Sequence, residues 1–265
     1  DRVNRILMFT DGDFNVGVTD NRSIEEYVAL QRESGIYLSV YGFGRGNYQD
    51  ARMQTISQAG NGTAAYVDSL NEARRLFGPA FDRGAFPIAD DVKIQVEFNP
   101  GKVAAYRLIG YENRLLNTED FTDDGKDAGE MGAGHQMIAL YEIIPAKTGE
   151  TAPPAAGSRY QETTLKGGEE TLYVSVRYKL PAGIGSIETG SGATAAIPFG
   201  AMSGNMAFAS AVAEFGLILS DSAYKGSASL DSALDRALLS LGGDAFGCRA
   251  EFVQLVDLLR LLQDS

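Results

Sequence analysis

Ile6-Leu7-Met8-Phe9 is an apolar run of strand length that ends abruptly at Thr10-Asp11-Gly12-Asp13. No polar residue interrupts it, which is the pattern of a strand buried on both faces of a parallel sheet. In open α/β sheets, ligands bind beyond the carboxyl ends of the strands. Asp11 and Asp13 therefore stand where a cation or a phosphate would bind. A buried central strand is also an unusual place for a domain to open.

The next seventy or so residues continue the alternation of strand and helix. Ser23 is the expected cap of a helix carrying Ile24, Tyr27 and Val28, and Gly35 ends it. Ile36 to Tyr41 reads as a second strand, followed by the Gly42-Phe43-Gly44-Arg45-Gly46 turn. That turn lacks the spacing of a dinucleotide fingerprint. A short helix with Met53 and Ile56 follows, then a third strand from Thr63 to Val67. Ser69 and Glu72 have capping-box spacing at the start of another helix. The β-α-β-α-β-α order predicts a parallel sheet with helical crossovers.

The period changes near Asp90. Val92, Ile94, Val96 and Phe98 alternate with Lys93, Gln95 and Glu97, which predicts an antiparallel strand with Lys93, Gln95 and Glu97 on its wet face. Leu172, Val174, Val176 and Tyr178 repeat the pattern, and residues 103–111 and 136–144 are further strand candidates. Residues 145–170 read as an irregular excursion, and residues 182–200, mostly Gly, Ala, Ser and Thr, as a linker or crossing segment. Three helices with apolar faces close the chain, marked by Phe208 to Leu219, Leu230 to Leu241 and Phe252 to Leu262. The fold class is thus a partial parallel α/β sheet, then an antiparallel sandwich-like region, then a helical segment. The expected domains are 1–86, 87–198 and 199–265.

Charge and rare residues narrow the chemistry. The chain has 265 residues and a formal net charge of −12, against a role in gripping a phosphate backbone. No stretch is apolar enough to span a membrane. One cysteine, Cys248, excludes an internal disulfide and a cysteine metal site, and one histidine, His135, excludes a multi-histidine zinc site. His135, in Gly-Ala-Gly-His, is expected to be a structural hydrogen-bonder. Asp120, Asp123, Asp124, Asp127 and Glu130 make an acidic loop without Ca²⁺-loop spacing. It reads as a solvated turn, with structural or adventitious Ca²⁺ as the other reading. Ser203 and Ser210 lie in no nucleophile elbow.

The segment Ile6-Leu7-Met8-Phe9-Thr10-Asp11-Gly12-Asp13-Phe14-Asn15-Val16-Gly17 resembles the fourth strand and following loop of a bacterial von Willebrand factor type A domain. Ile36 to Gly44 resembles the fifth strand of that fold, and Gly62 to Val67 the sixth. The remainder resembles the uncharacterised C-terminal region that follows this domain in a family of bacterial envelope proteins. Three stretches carry that likeness: Tyr106 to Arg114, Asp127 to His135 and Phe246 to Phe252.

The resemblance implies a metal-ion-dependent adhesion site holding Mg²⁺, Mn²⁺ or Ca²⁺. Asp11 stands at the metal position, and Thr10, Gly12, Asp13 and Asn15 form a possible rim. In this family the open metal position is often filled by an acidic residue of a partner protein. The Asp-x-Ser-x-Ser loop and the first three strands of the family fold are absent from the chain. The chain is therefore expected to be a fragment, with residues 5–10 paired to an upstream half of the domain and the metal weakly held without it. The expected function is a non-enzymatic, metal-dependent protein-binding module of the bacterial envelope, periplasmic or lipid-anchored. The alternatives are a Mg²⁺-dependent phosphohydrolase or phosphotransferase using Asp11 and Asp13, and a structural scaffold with a vestigial metal site.

Overall fold

The computed structural model describes residues 4–11, 20–44, 49–78, 81, 86–111, 115–126, 128–146, 168–181, 183, 185–194 and 197–263. The chain divides into two compact units that interleave along the sequence. The first contains residues 1–95, 117–136 and 175–190, and the second residues 96–116, 137–174 and 191–265.

The first unit opens with a parallel sheet of three strands, β1 (Asn4–Thr10), β2 (Ile36–Gly42) and β3 (Ala64–Tyr66), in the order β1-β2-β3. Both pairings are parallel, with Asn4 opposite Ile36, Thr10 opposite Gly42, and Val40 opposite Ala64. The crossovers are the helices α1 (Asn21–Glu33) and α2 (Asp50–Ala59). Their inward residues Ile24, Val28, Met53 and Ile56 meet Val40, Leu38 and Ala64 in one core, with Val40 and Met53 wholly buried. The α1 cap is Asp20, whose carboxylate accepts from the Ser23 backbone N–H at 2.9 Å, not Ser23 itself. Either side chain can cap, and the helix takes the earlier one. Helix α3 (Leu70–Leu76) is capped as expected, by Ser69 accepting from the Glu72 N–H.

Gly62 marks the tightest approach in this unit. A Cβ there would lie 1.8 Å from the Leu38 carbonyl oxygen, so only glycine lets the turn after α2 pass over β2.

β1 departs from the reading of a strand buried on both faces. Among the described residues it is the outer strand of its sheet, and Ile6 and Phe9 are 54% and 55% exposed. A strand flanked on one side only cannot bury every apolar side chain it carries.

A second sheet has the order β6-β4-β8-β9, from β4 (Pro87–Phe98), β6 (Gly129–Gly132), β8 (Leu172–Lys179) and β9 (Ser186–Ala193). β9 falls in the stretch read as a linker: glycine and serine suppress the apolar alternation that marks a strand, yet the backbone still pairs. β4 and β6 pair antiparallel, with register shifts on both sides of Ala89. One shift brackets Asp90-Asp91, and Asp91 adopts φ of 55°, a left-handed conformation that aspartate tolerates better than most residues.

In the second unit, β5 (Val103–Ile109) pairs antiparallel with β7 (Leu140–Pro145). Phe98 stacks on Tyr106 at 4.3 Å between ring centroids and meets Tyr141 edge-on. Arg107 donates to Glu142 at 2.7 Å and lies over the Tyr224 ring. Three helices complete the unit: α4 (Gly204–Leu219), α5 (Leu230–Leu239) and α6 (Cys248–Gln263). Their core is Leu230, Ala233, Leu234 and Val256, packed against Phe215, Ile218, Phe252 and Leu259. Arg249 ties the three together. It donates to the Ser240 carbonyl beyond the end of α5 at 2.8 Å, contacts Asn205 of α4, and lies over the Phe208 ring.

Candidate functional site

The carboxyl ends of β1 and β2 place the residues singled out by sequence. Thr10 sits opposite Gly42 in the ladder, and its carbonyl accepts from the Phe43 N–H at 2.8 Å. Asp11 follows, exposed, and a Cβ added to Gly44 would be 4.0 Å from the Asp11 Cβ. Gly44 has φ of 86°, and its carbonyl accepts from the Tyr66 hydroxyl at the end of β3. Beside these residues Phe9 stacks on Tyr41 at 5.5 Å and meets Phe43 and Phe77. The three parallel strands thus deliver the Asp11 carboxylate, a left-handed glycine turn and an aromatic cluster to the same end of the sheet. Gly12, Asp13 and Asn15 lie outside the described residues.

This donor set does not by itself make a hard-cation site. Mg²⁺ takes six oxygens in near-octahedral geometry. Among the described residues, no three His, Cys, Asp or Glu side chains gather where an ion could be held.

A second polar constellation was not legible in the sequence. On β4 the predicted wet face is turned inward at its start: Asp91 and Lys93 are 9% and 2% exposed, whereas Ile94 is 39% exposed. The chain irregularity at Asp90-Asp91 precedes this stretch, and the buried charges find partners. Lys93 Nζ is 3.5 Å from Asp91 Oδ1, and Lys179 Nζ of β8 is 2.9 Å from Asp91 Oδ2. Both ammonium groups also donate to the acidic loop, Lys93 to the Asp123 carbonyl and Lys179 to the Asp124 carbonyl at 2.9 Å. Asp124 accepts from Arg177 at 2.9 Å and from the Ser186 hydroxyl. The Ser186 hydrogen bond and then the Arg177 guanidinium hold the Asp124 carboxyl below the usual carboxylate range.

The acidic loop is therefore fastened by strand cations and is not a merely solvated turn. Within it, Thr118–Phe121 forms a 3₁₀ turn with a capping box between Asn117 and Asp120, and Phe121 is buried. The signal available in the sequence was the matching of Lys93, Arg177 and Lys179 on two strands with a run of aspartates between them. Neighbouring Asp90 has the opposite electrostatics. Burial, and then the Asp91 charge, push its carboxyl above the usual range, and its Oδ1 is buried with no hydrogen-bond partner.

Ser203 and Ser210 have local structural partners. Ser203 caps α4 by accepting from the Met206 N–H at 3.2 Å, and the Ser210 hydroxyl donates to the Ala207 carbonyl at 2.7 Å. His135 is exposed, and its backbone N–H donates to the Gly132 carbonyl at 3.0 Å. Cys248 is exposed at the start of α6. Among the described residues no helix is long and apolar enough to cross a membrane.

The fold is thus that of a mixed α/β protein, with a parallel sheet, antiparallel sheets and C-terminal helices. The family model described as "Uncharacterized protein YfbK, C-terminal" matches residues 84–262, and the chain belongs to that family. Uncharacterized protein YfbK of Escherichia coli (strain K12) is 39% identical over 261 residues. The match covers 97% of this chain and 44% of that protein, so the chain spans less than half the length of its relative.

Among solved structures, von Willebrand factor type A from Catenulispora acidiphila overlaps 93% of this chain and 57% of its own, at 16% identity and a TM-score of 0.38. The human COPII-coat protein Sec24c overlaps 89% of this chain and 32% of its own, at 10% identity and a TM-score of 0.37. Overlaps at this level assign neither fold nor function.

Proposed function

We propose that the chain is part of a non-enzymatic protein-interaction module of the bacterial envelope, periplasmic or lipid-anchored, whose binding end is the carboxyl end of β1 and β2. The observation that carries this reading is the placement of Asp11 beside the Gly42-Phe43-Gly44 turn at the end of a parallel sheet. The sequence resemblance to a type A domain supports it. Asp11 is one ligand of a Mg²⁺, Mn²⁺ or Ca²⁺ site, and the remaining ligands come from an upstream half of the same domain that pairs with β1. An acidic residue of the partner completes the coordination, since a hard dication accepts a further carboxylate readily.

The test is affinity capture from envelope extracts with the full-length protein, wild type and Asp11→Ala, in Mg²⁺ and in chelator. Capture of the same protein by wild type in Mg²⁺ only, and by the variant in neither condition, is the expected result. Equal capture by both proteins in chelator would contradict the metal-dependent reading. Turnover of a phosphate ester that requires Asp11 would contradict the non-enzymatic one.

A further inference from the structure

We propose that Asn117–Lys126 is a strap that opens and closes over the polar face of β4, β8 and β9 without unfolding the sheet, and that salt controls its opening. The strap is held by a small set of charged contacts. Lys93 donates to the Asp123 carbonyl, Lys179 to the Asp124 carbonyl at 2.9 Å, and Arg177 and Ser186 to the Asp124 carboxylate. Every one of these donors sits on a strand, and every acceptor sits on the strap. Its one buried apolar anchor is Phe121, while Thr118, Glu119 and residues 122–126 are exposed.

A loop packed on an apolar sheet face cannot lift without exposing hydrocarbon, at a cost that grows with area. The face beneath this strap carries Asp91, Lys93, Arg177, Lys179 and Ser186, and it keeps its own pairing when the strap leaves. Asp91 still bridges Lys93 and Lys179, at 3.5 and 2.9 Å, and Arg177 still faces Glu188 at 3.5 Å. Water can replace the strap's two carbonyls and one carboxylate at these groups. Opening therefore costs the tethers and Phe121, and leaves the strand ladders in place. One of the tethers is an ion pair, Arg177–Asp124 at 2.9 Å; it is partly exposed and weakens as ionic strength rises, which makes salt the control.

Hydrogen exchange of the folded chain tests this, comparing peptides that cover the strap with peptides that cover β4 and β8. In wild type, raising NaCl from about 0.05 to about 1 M should speed exchange in the strap roughly two- to fivefold and leave the strands unchanged. Asp124→Asn, which keeps the side-chain size and removes the charge, should give the same selective increase at low salt. Strap and strands exchanging together at one rate would overturn the proposal. So would strap exchange that responds to neither salt nor Asp124→Asn. The salt arm needs no variant, so a folding defect in Asp124→Asn cannot mask the outcome.

Discussion

Asp90 and Asp91 are neighbours with opposite fates, and the difference is one of partners. Asp91 is buried against two ammonium groups, whereas Asp90 is pushed upward by burial and by the Asp91 charge and has no cation beside its buried Oδ1 in any ion pair among the described residues. A carboxyl whose folded-state pKa lies above its unfolded value costs stability once the pH exceeds both, and costs nothing below the unfolded value. Asp90→Asn should therefore raise the melting temperature at pH 7, and the gain should shrink as the pH falls through the carboxylate range. A gain that grew on acidification would contradict the assignment. Asp91→Ala acts the other way. It strands the buried Lys93 beside a lone carbonyl, and should cost about 3–5 kcal/mol in urea unfolding, the range for breaking a buried pair. Arg249→Ala should cost about 2 kcal/mol, because the α5-end carbonyl loses a charged donor and Phe208 loses its cover.

At the scale of elements, the sequence was most legible where apolar period and turn chemistry agreed. The three parallel strands, the Ser69 cap and the three C-terminal helices follow from runs such as Ile36 to Tyr41 and Leu230 to Leu241. It was least legible where a strand carries the wrong side chains for its exposure. On β4 burial alternates from Ala89 to Lys93 and changes phase before Phe98, and an irregularity at Asp90-Asp91 and the partners on β8 and the strap decide which set is inside at the start. Alternation alone cannot choose when the polar set can be paired. β9 was missed because Gly and Ser pack nothing, although their backbone pairs as well as any other. At the candidate site, Asp11 and Thr10 could be read as a strand end, while the aromatic cluster of Phe9, Tyr41, Phe43 and Phe77 needed the register to bring it together. Gly62 supplies a test at this scale. Gly62→Ala should lose about 3 kcal/mol, since the Leu38 carbonyl is backbone and cannot step aside, and the loss should appear as a lower urea midpoint at unchanged m-value.

At the scale of the molecule, the outer position of β1 is the feature that points beyond the chain. Ile6 and Phe9 are more than half exposed on a strand whose ladder partner is β2. Burying a large apolar side chain is worth roughly 1.5–3 kcal/mol, so a strand laid against this edge gains from both hydrogen bonds and burial. In the full-length protein, amides of Asn4–Phe9 that face away from β2 should be protected from exchange, and in the 265-residue chain they should exchange faster. The metal reading rests on the same completion, because no three His, Cys, Asp or Glu side chains gather among the described residues where a dication needs several oxygens. The most direct measurement is therefore calorimetric titration of Mg²⁺ into the full-length protein, wild type and Asp11→Ala. One saturable site in wild type, lost in the variant with its melting temperature in the absence of metal unchanged, is the predicted result. Equal Mg²⁺ affinity in the two proteins would contradict the account.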